Sequence, residues 1–385
     1  MNKKQKILVF VDWYLPGFKA GGPIQSIANM VENLKQHFDF AVVTTNKDLG
    51  ASKPYDDIES DKWLKWNGVS VYYFSHESLS YFTVKRIIIE QNADIIYLNS
   101  FFSFYFSIIP LLISNRNKLK CKIILCPRGM LGKGSLAIKS AKKKLFMTIS
   151  KLVGLHKKVF WHATNPSEEE DTKAIFGNDI DLAIAPNFSK KSNDNLTKRK
   201  KQRNGARFVF LGRVSPVKNV LQAIRCFKNT MFTRDIVFDI YGPIEDELYF
   251  KECKQLIEQL PKNITVSFKG VLEPNKINRT LSSYHFFLFL TLNENFGHAI
   301  IEALSAGCPA IISNQTPWQD LEQKKAGWVR PLDHDFDIIL EKCISLNQED
   351  YDEMSHAAHN YAMGITNNKL AVEQHLKLFS NSTFV

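Results

Sequence analysis

Short apolar runs alternate with stretches of helical periodicity along most of this chain, and the alternation limits the folds it can adopt. The runs in the first half are Ile7–Val11, Phe40–Val43, Val69–Phe74, Ile95–Leu98, Ile123–Leu125 and Val159–Trp161. Between the first two runs, apolar residues recur at helical spacing, at Ile24, Ile27, Ala28, Val31 and Leu34. Strands that alternate with helices usually pair in parallel and are covered by helices on both faces. The pattern therefore predicts an α/β fold with largely parallel sheets.

A polar, basic segment interrupts the alternation and divides the chain. From Ser189 to Arg203 there are seven Lys and Arg residues and no periodic apolar face. The strand pattern then resumes at Phe208–Leu211, Ile236–Ile240, Ile264–Phe268, Phe286–Leu290 and Ala310–Ile312, and the tail from about Glu349 to Phe379 is predicted to form two helices. A chain of 385 residues exceeds one typical core. We expect a first domain at residues 1–188, an interdomain linker at 189–204, a second domain at 205–365 and a C-terminal helix at 366–385. One arrangement open to this helix is to pack back on the first domain.

Composition places the chain among cytoplasmic globular proteins. The hydrophobic fraction of 44% and the charged fraction of 23% are ordinary for that class. The six cysteines form no C-x-x-C pair, which indicates reduced thiols. The apolar run Ile7–Val11 is shorter than the roughly 7–15 residues of a secretory signal. The stretch Phe101–Ile113 is shorter than the roughly 20 residues of a membrane-spanning helix.

The net charge of +11 is unevenly distributed. Residues 95–167 contain 13 Lys and Arg and no Asp or Glu, whereas a solvated helix face usually mixes both signs. Within this interval, Leu136–Lys158 holds seven lysines, with apolar residues at Leu136, Ile138, Leu145, Phe146, Ile149, Leu152 and Val153. A basic amphipathic segment of this kind suits an anionic membrane surface. The alternative is that the apolar residues pack into the core and the lysines are solvated.

Two segments that follow predicted strands carry candidate binding residues. Open parallel sheets bind ligands at the carboxyl ends of their strands. After Phe208–Leu211 come Gly212, Arg213 and Lys218, in which glycine allows close approach to the backbone and the two cations suit phosphate oxygens. The other reading of this segment is an ordinary turn with surface charges.

The segment after Phe286–Leu290 is more specific. It carries Glu294 on a loop, Gly297 at a helix start and Glu302 inside that helix. Acidic residues near a helix start often act as caps. Two carboxylates spaced in this way are also able to accept hydrogen bonds from sugar hydroxyls on both sides of a bound diphosphate.

These residues resemble a known family. Glu294 and Glu302, with Phe296 and Gly297 between them, resemble the E-x7-E motif of family 4 retaining glycosyltransferases, which have the GT-B fold. Further matches are Gly21-Gly22, Pro186-Asn187, Gly212-Arg213 with Lys218, Gly242, Gly270 and Ala306-Gly307-Cys308-Pro309, in the family's order along the whole chain.

The resemblance implies two Rossmann-like domains whose parallel sheets face each other across a cleft. It implies that the catalytic residues are Glu294, Arg213 and Lys218, and that the first domain binds the acceptor. The donor-binding residues it implies are Gly212, Asn219, Gly242, Gly270, Asn295, Phe296, Gly297, His298 and Glu302. No cofactor is implied, because the nucleotide sugar is a substrate. No metal is expected, since none of the D-x-D pairs (Asp179/Asp181, Asp333/Asp335 and Asp335/Asp337) lies on the donor loops.

The first domain departs from the family pattern. Where relatives often carry histidines, this chain has Asn99 after one strand and Arg128 after another. Arg128 cannot act as a base, but it can bind phosphate or a carboxylated acceptor. His162 is the remaining imidazole candidate, and its alternative role is a packed residue at a strand end. The acceptor-side residues are therefore predicted to be Gly21, Gly22, Asn99, Arg128 and His162.

We expect a retaining, metal-independent glycosyltransferase that moves a sugar from a nucleotide-sugar donor. The expected acceptor is a membrane-associated, polyprenyl-diphosphate-linked glycan used in O-antigen or capsule synthesis. The protein is expected to be cytoplasmic and peripheral at the inner face of the cell membrane. Nucleic acid is not an expected partner, because no aromatic stacking motif accompanies the basic run at 189–203. The alternatives are a sugar-nucleotide epimerase of the same fold and a non-catalytic, membrane-bound scaffold.

Overall fold

The structure is a computed structural model that describes residues 4–117, 119–137, 140–190, 196–201, 205–228 and 234–380. The chain divides into two compact units. The first unit comprises Met1–Phe188 and Asn368–Val385, and the second comprises Ser189–Asn367. Within the described ranges, no helix combines the length and apolar character needed to cross a lipid bilayer.

The first unit is built on an eight-stranded sheet with the order β3-β4-β2-β1-β5-β6-β7-β8. Its strands are β1 (Lys6–Phe10), β2 (Asp39–Thr45), β3 (Trp63–Trp66), β4 (Val69–Phe74), β5 (Ile95–Asn99), β6 (Lys122–Cys126), β7 (Val159–Ala163) and β8 (Leu182–Ile184). Every pairing is parallel except that of β3 with β4. Along β1, Ile7 and Val9 join one core cluster while Leu8 and Phe10 join another. Both faces of this sheet are therefore covered.

Helices connect the strands of the first unit. They are α1 (Gly22–Leu34), α2 (Tyr81–Gln91), a π-helical turn (Phe104–Ile108), α3 (Ile109–Asn117), α4 (Lys133–Ala137), α5 (Ser140–Leu152) and α6 (Pro166–Phe176). In α1, Ile24, Ile27 and Val31 are buried, as the helical spacing of apolar residues predicts.

The second unit has a six-stranded parallel sheet with the order β11-β10-β9-β12-β13-β14. Its strands are β9 (Gly205–Leu211), β10 (Asp235–Tyr241), β11 (Ile264–Gly270), β12 (Phe286–Phe289), β13 (Ala310–Ser313) and β14 (Gly327–Arg330). The helical elements are a 3-10 turn (Pro216–Lys218), α7 (Val220–Arg225), α8 (Glu247–Ile257), α9 (Ile277–Leu281), α10 (His298–Ser305), α11 (Asp337–Ser345) and α12 (Gln348–Thr366). The pairing of β9 with β12 brings the loops that follow these strands together.

The last described helix, α13 (Lys369–Phe379), belongs to the first unit. Its residues Ala371, Leu378 and Phe379 are buried in that unit's core. The ammonium of Lys122 donates a hydrogen bond to the carbonyl of Leu378 at 2.8 Å, which places a cation at the carboxyl end of the helix. The two helices predicted for the tail are α12 and α13.

All the predicted strands are present, and the described ranges contain three further strands that were not predicted. β3 pairs antiparallel at one edge and has partly exposed residues, so it shows no buried apolar run. β8 has only three residues and lies at the other edge. β14 begins at a glycine and holds only two buried residues. Edge strands carry a weak apolar signal because one side of each strand is not enclosed by a neighbour.

The predicted linker differs in the structure from a solvated segment. Arg199 and Lys201 are buried in the second unit. Arg199 donates hydrogen bonds to the carbonyls of Gly307 (2.5 Å) and Ala306, just after α10. Lys201 donates to the carbonyls of Ile344 and Leu346 at 2.8 Å each, at the end of α11. These cations satisfy helix-terminal carbonyls, which a pattern of apolar residues does not reveal.

Candidate active site

Three glycines bring the carboxyl ends of neighbouring strands in the second unit close together. Gly212 follows β9, Gly242 follows β10 and Gly270 ends β11. The amide of Gly212 donates to Tyr241 O at 2.9 Å, and that of Gly242 donates to Gly270 O at 2.8 Å. Gly242 has a φ of 143°, and a Cβ added there would lie 1.8 Å from Gly212 O. A side chain at Gly242 would therefore collide with the backbone. Only glycine fits at this position, so no side chain covers the backbone there.

The central contact of the site joins Lys218 to Glu294. Lys218 Nζ donates to Glu294 Oε2 at 2.6 Å, and the two side chains are only 15% and 16% exposed. Burial opposes ionisation of Glu294, but attraction to Lys218 and the hydrogen bond from it outweigh burial and lower the pKa of this carboxyl. From the sequence, each residue is predicted separately to contact the ligand, and their pairing is not predicted.

Backbone and side-chain hydrogen bonds hold the two loops that carry this pair. The Asn219 amide donates to Leu290 O at 2.9 Å, and Asn219 adopts a left-handed φ of 53°. Thr291 Oγ1 and the amide of Leu292 donate to Val217 O at 3.0 and 2.8 Å. These bonds tie the loop after β9 to the loop after β12. Lys218 and Glu294 are thus brought together by the adjacency of two strands.

Arg213 lies on the same loop as Lys218 but has a different partner. Its guanidinium donates to Glu245 at 2.6 Å, and the side chains are 33% and 40% exposed. Exposed ion pairs contribute little to stability, typically about 0–1 kcal/mol. A bound anion can therefore replace Glu245 at low cost. Glu245 was not predicted, because it lies after β10 and no motif marks it.

A glycine starts the helix that carries the second acidic residue. Gly297 has a φ of 82° and lies at the amino-terminal cap of α10. His298 is the first residue of α10, and Glu302 lies half-buried within it. The Phe296 ring lies 4.7 Å from that of His298, and the Phe296 carbonyl accepts a hydrogen bond from Trp318 Nε1.

The loop before α10 is also fixed by its backbone. The amide of Asn295 donates to Glu294 Oε1 at 3.1 Å, and the amide of Glu294 donates to Gln315 O at 2.9 Å. The structure therefore places the residues from Glu294 to Glu302 around the start of one helix, as predicted from the sequence.

In the first unit, Arg128 connects the ends of two neighbouring strands. It follows β6, has a left-handed φ of 57°, and donates to Asn99 Oδ1 at the end of β5 at 2.9 and 3.1 Å. It also donates to Tyr97 Oη at 3.0 Å and to Asn187 Oδ1. Among the described residues Arg128 forms no salt bridge. In the part of the chain that the structure describes, the hydrogen-bond acceptors of its guanidinium are all neutral oxygens.

His162 is wrong as a candidate base. The side chain is fully buried, its Nε2–H donates to Ala185 O at 2.7 Å, and its Nδ1 accepts from Tyr97 Oη at 2.7 Å. Burial, with His375 and Arg128 nearby, lowers the pKa of His162 well below its usual value. The residue lies on β7, between β6 and β8, and the His375 ring of α13 lies 5.2 Å away. His162 is therefore a packed strand-end histidine.

The glycine loop of the first unit is held by a residue that was not predicted. Gly21 has a φ of 66° and caps α1, whose first residue is Gly22. The Asp48 carboxylate accepts hydrogen bonds from the amides of Phe18 and Lys19 at 2.9–3.1 Å. Asp48 follows β2, and its position after a strand is the only signal in the sequence that marks it.

Within the described ranges, no three His, Cys, Asp or Glu side chains lie close enough together to hold a metal ion. All six cysteines are unpaired, and Cys121 alone among them is not buried. The cationic groups available to a bound anion at the carboxyl edge of the second sheet include Arg213 and Lys218.

Comparison with known proteins agrees with this arrangement. Residues 192–361 match the family described as "Glycosyl transferases group 1". The matched range lies in the second unit and includes Gly212, Lys218, Glu294 and Glu302. The match supports a glycosyltransferase. No curated protein sequence matches the chain.

Solved structures resemble the whole chain. HepE from Anabaena, in complex with UDP and glucose, gives a TM-score of 0.71 at 15% identity and covers 98% of this chain and 100% of its own. Sucrose-phosphate synthase from Thermosynechococcus elongatus gives 0.71 at 12% identity and covers 98% of each chain. WaaG, a glycosyltransferase involved in lipopolysaccharide biosynthesis, gives 0.67 at 12% identity and covers 98% of this chain and 100% of its own. The two parallel-sheet units thus form a GT-B fold.

Proposed function

We propose that this protein is a retaining glycosyltransferase that transfers a sugar from a nucleotide-sugar donor to a membrane-associated, lipid-linked glycan. The observation that carries the proposal is the buried Lys218–Glu294 pair beside the bare backbone of Gly212, Gly242 and Gly270. This pair lies in the range that matches the glycosyltransferase family. The binding of UDP and glucose by HepE supports a nucleotide sugar as the donor.

In this proposal, the diphosphate of the donor binds Lys218 and Arg213. Lys218 leaves or shares Glu294, and Arg213 exchanges Glu245 for phosphate oxygens. The amino-terminal N–H groups of α10 add a favourable dipole. As the bond between the anomeric carbon and the diphosphate breaks, negative charge develops on the leaving oxygen. Fixed cations at that position stabilise the transition state, and no metal ion is required.

The two glutamates bind different parts of the donor in this proposal. Glu302, inside α10, accepts hydrogen bonds from the ribose hydroxyls. Glu294, before the helix, accepts hydrogen bonds from the transferred sugar. The acceptor oxygen then bonds to the anomeric carbon on the face that the diphosphate leaves, and the departing diphosphate takes the acceptor proton. This route needs no protein base, which accords with the burial of His162.

The membrane-associated acceptor is supported by an exposed surface on α5 and the turn that follows it. We call this surface the basic-apolar face and define it as Lys142, Lys144, Leu145, Ile149, Leu152 and Val153. Its apolar members are 62%, 50%, 81% and 65% exposed in chain order. Lys142 and Lys144 are also exposed. Positions 142, 145, 149 and 152 lie along one side of a helix.

Large apolar side chains beside lysines are typical of helices that lie in the plane of an anionic membrane. The alternative, in which these apolar side chains pack into the core, does not hold for the four apolar members of the basic-apolar face, because they are exposed. Leu136 and Phe146 are partly buried. Ile138 lies outside the described residues. We therefore propose that the protein is cytoplasmic and binds the inner face of the cell membrane, where it takes part in the synthesis of a cell-surface polysaccharide such as O-antigen or capsule.

The proposed activity is tested with a panel of UDP-, GDP- and ADP-sugars. Release of nucleoside diphosphate is measured with and without a lipid-linked acceptor, and the anomer of the product is assigned by NMR. We expect turnover with one donor class and retention of the anomeric configuration. Interconversion of free nucleotide sugars without transfer would favour an epimerase, and failure to bind any nucleotide would favour a scaffold.

A further inference from the structure

Asp12 lies where the first sheet reverses its strand order. It follows β1, which is flanked by β2 on one side and β5 on the other. The chain proceeds outward from β1 in both directions, so the loops after β1 and β5 diverge. In open α/β sheets, this crevice at the carboxyl ends of the strands is where ligands bind.

The backbone of Asp12 is fixed to the end of β2. Its carbonyl accepts hydrogen bonds from Thr45 Oγ1 at 2.6 Å, from the amide of Thr45 at 3.3 Å and from Thr44 Oγ1 at 3.2 Å. The carboxylate points to the other side, where Ser103 Oγ donates to Asp12 Oδ1 at 2.7 Å. Ser103 caps the π-helical turn after β5. Asp12 is therefore held in a defined orientation across the crevice.

The second carboxylate oxygen of Asp12 is available. Among the described residues, no residue other than Asp12 itself donates a hydrogen bond to Oδ2, and Oδ2 is not one of the enclosed atoms that lack a partner. No Lys or Arg of the described ranges pairs with Asp12. Burial raises the pKa of this carboxyl, and the hydrogen bond from Ser103 offsets only part of that effect.

Asp48, in the same unit, differs from Asp12 in the number of hydrogen bonds that its carboxylate accepts. Both oxygens of Asp48 accept backbone N–H groups, from Phe18, Lys19 and Leu49. Asp48 thereby satisfies the loop before α1. Asp12 is tied to the end of β2 through its backbone carbonyl instead, and no other described residue donates a hydrogen bond to its Oδ2. A partly buried carboxylate without a cation costs free energy, and a polar ligand would recover that cost.

We propose that Asp12 is an acceptor-binding residue, whose Oδ2 accepts a hydrogen bond from a hydroxyl of the acceptor sugar. This inference rests on the proposed glycosyltransferase function. A carboxylate accepts hydroxyl hydrogen bonds at up to four positions, whereas it repels phosphate. The bound part of the acceptor is therefore its sugar and not its diphosphate. Asp12 orients the hydroxyl, and the proton still leaves with the diphosphate.

The test compares wild type with Asp12→Ala and Asp12→Asn, using octyl glycosides as acceptor probes. We expect Asp12→Ala to raise the KM for the octyl glycoside at least about tenfold, which corresponds to ~1.4 kcal/mol of lost binding. Asp12→Asn keeps one acceptor oxygen and is expected to lose less. Donor hydrolysis by water and binding of nucleoside diphosphate should stay within about twofold of wild type, since the donor binds the second unit. The matched control is Asp39→Asn, an exposed aspartate at the opposite end of the sheet.

The outcomes separate the inference from the proposed function. Unchanged acceptor KM in Asp12→Ala overturns the role of Asp12, as does an equal loss of donor hydrolysis in both Asp12 variants. A wild-type protein that turns over no nucleotide sugar, with or without an acceptor, contradicts the proposed function instead. In that case saturation-transfer NMR of octyl glycosides still decides the role of Asp12, because it requires no turnover. Equal NMR signals for wild type and Asp12→Ala would overturn the inference.

Discussion

The ammonium of Lys218 lies 2.6 Å from the carboxylate of Glu294, across 76 positions of sequence. The two residues meet because β9 pairs with β12, which places the loops after these strands side by side. The pairing satisfies both charges, and in the proposed function the donor diphosphate replaces Glu294 as the partner of Lys218.

Lys218→Ala and Arg213→Ala are expected to lower kcat strongly while the fold is retained. Loss of one cation at a developing negative charge costs roughly 2–4 kcal/mol, or about 30- to 1,000-fold in rate. Turnover is measured at saturating donor, and circular dichroism checks the fold. Lys276→Ala is the control, because Lys276 is an exposed lysine paired with Glu273. Wild-type turnover in both variants would refute the diphosphate role.

Glu302→Gln and Glu294→Gln are expected to differ. Glu302→Gln should weaken binding of the nucleoside diphosphate by calorimetry, because ribose hydroxyls lose a charged acceptor. Glu294→Gln should bind the nucleoside diphosphate at least as well as wild type, since Lys218 is released, but should turn over more slowly. If Glu302→Gln binds with wild-type affinity, the ribose assignment is incorrect.

Activity is expected to be insensitive to chelation. In the proposed mechanism, Arg213, Lys218 and the start of α10 supply the positive charge that stabilises the leaving diphosphate. The measurement is turnover before and after dialysis against EDTA. Complete loss that Mg²⁺ or Mn²⁺ restores would show that the cationic residues do not suffice.

The basic-apolar face is expected to bind anionic vesicles. Each lysine near such a surface contributes about 1 kcal/mol, an effect that salt screens over a Debye length of roughly 8 Å. Co-sedimentation with vesicles containing phosphatidylglycerol should fall for Lys142→Glu/Lys144→Glu and for Leu145→Ser/Leu152→Ser. Lys251→Glu/Lys254→Glu on α8 of the second unit is the matched control. Equal binding of all variants, or no binding by wild type, would show that the basic-apolar face is not the membrane-binding surface.

Folding stability is expected to fall as the pH drops from about 6.5 towards 4. Burial lowers the pKa of His156 to about 4 and that of His285 to about 4. The unfolded chain, in which a histidine titrates near about 6.5, therefore binds more protons than the folded chain in this window. The contribution of these histidines is fully present above pH ~6.5 and is lost progressively below it.

His156→Phe tests this expectation. Neither ring nitrogen of His156 has a hydrogen-bond partner among the residues that the structure describes, and its ring stacks on that of Phe101 at 5.0 Å. Phenylalanine suits these surroundings and does not titrate. The free energy of unfolding in urea should therefore depend less on pH between 6.5 and 4 in the variant than in wild type. Parallel pH dependences would contradict the assignment.

Much of the architecture follows from the sequence. The apolar runs predicted the strands that are buried on both faces, and the glycines at strand ends marked the loops of the second unit. The features that were predicted wrongly or not at all depend on contacts between residues that are distant in sequence. The residues next to His162 in the sequence do not show whether its imidazole faces solvent or bonds to the carbonyl of Ala185. Likewise, the residues next to Arg199 do not show that its guanidinium donates to the carbonyl of Gly307.

The candidate site shows the same division. The motif around Glu294 and Glu302 was visible in the sequence, but the pairing of Glu294 with Lys218 and of Arg213 with Glu245 depends on strand order. Asp12 was visible only as the residue that ends an apolar run. Its significance comes from the position of β1 at the centre of the sheet and from its contact with Ser103.

The return of α13 to the first unit makes the second unit an insertion within the first. During synthesis, the residues from Ser189 to Asn367 leave the ribosome before Ala371, Leu378 and Phe379, which fill the core of the first unit. The part of the first unit's core that these three residues fill therefore stays open until α13 has been made. A chain that ends before α13 contains every residue of the inserted unit but lacks part of the core of the unit that was synthesised first.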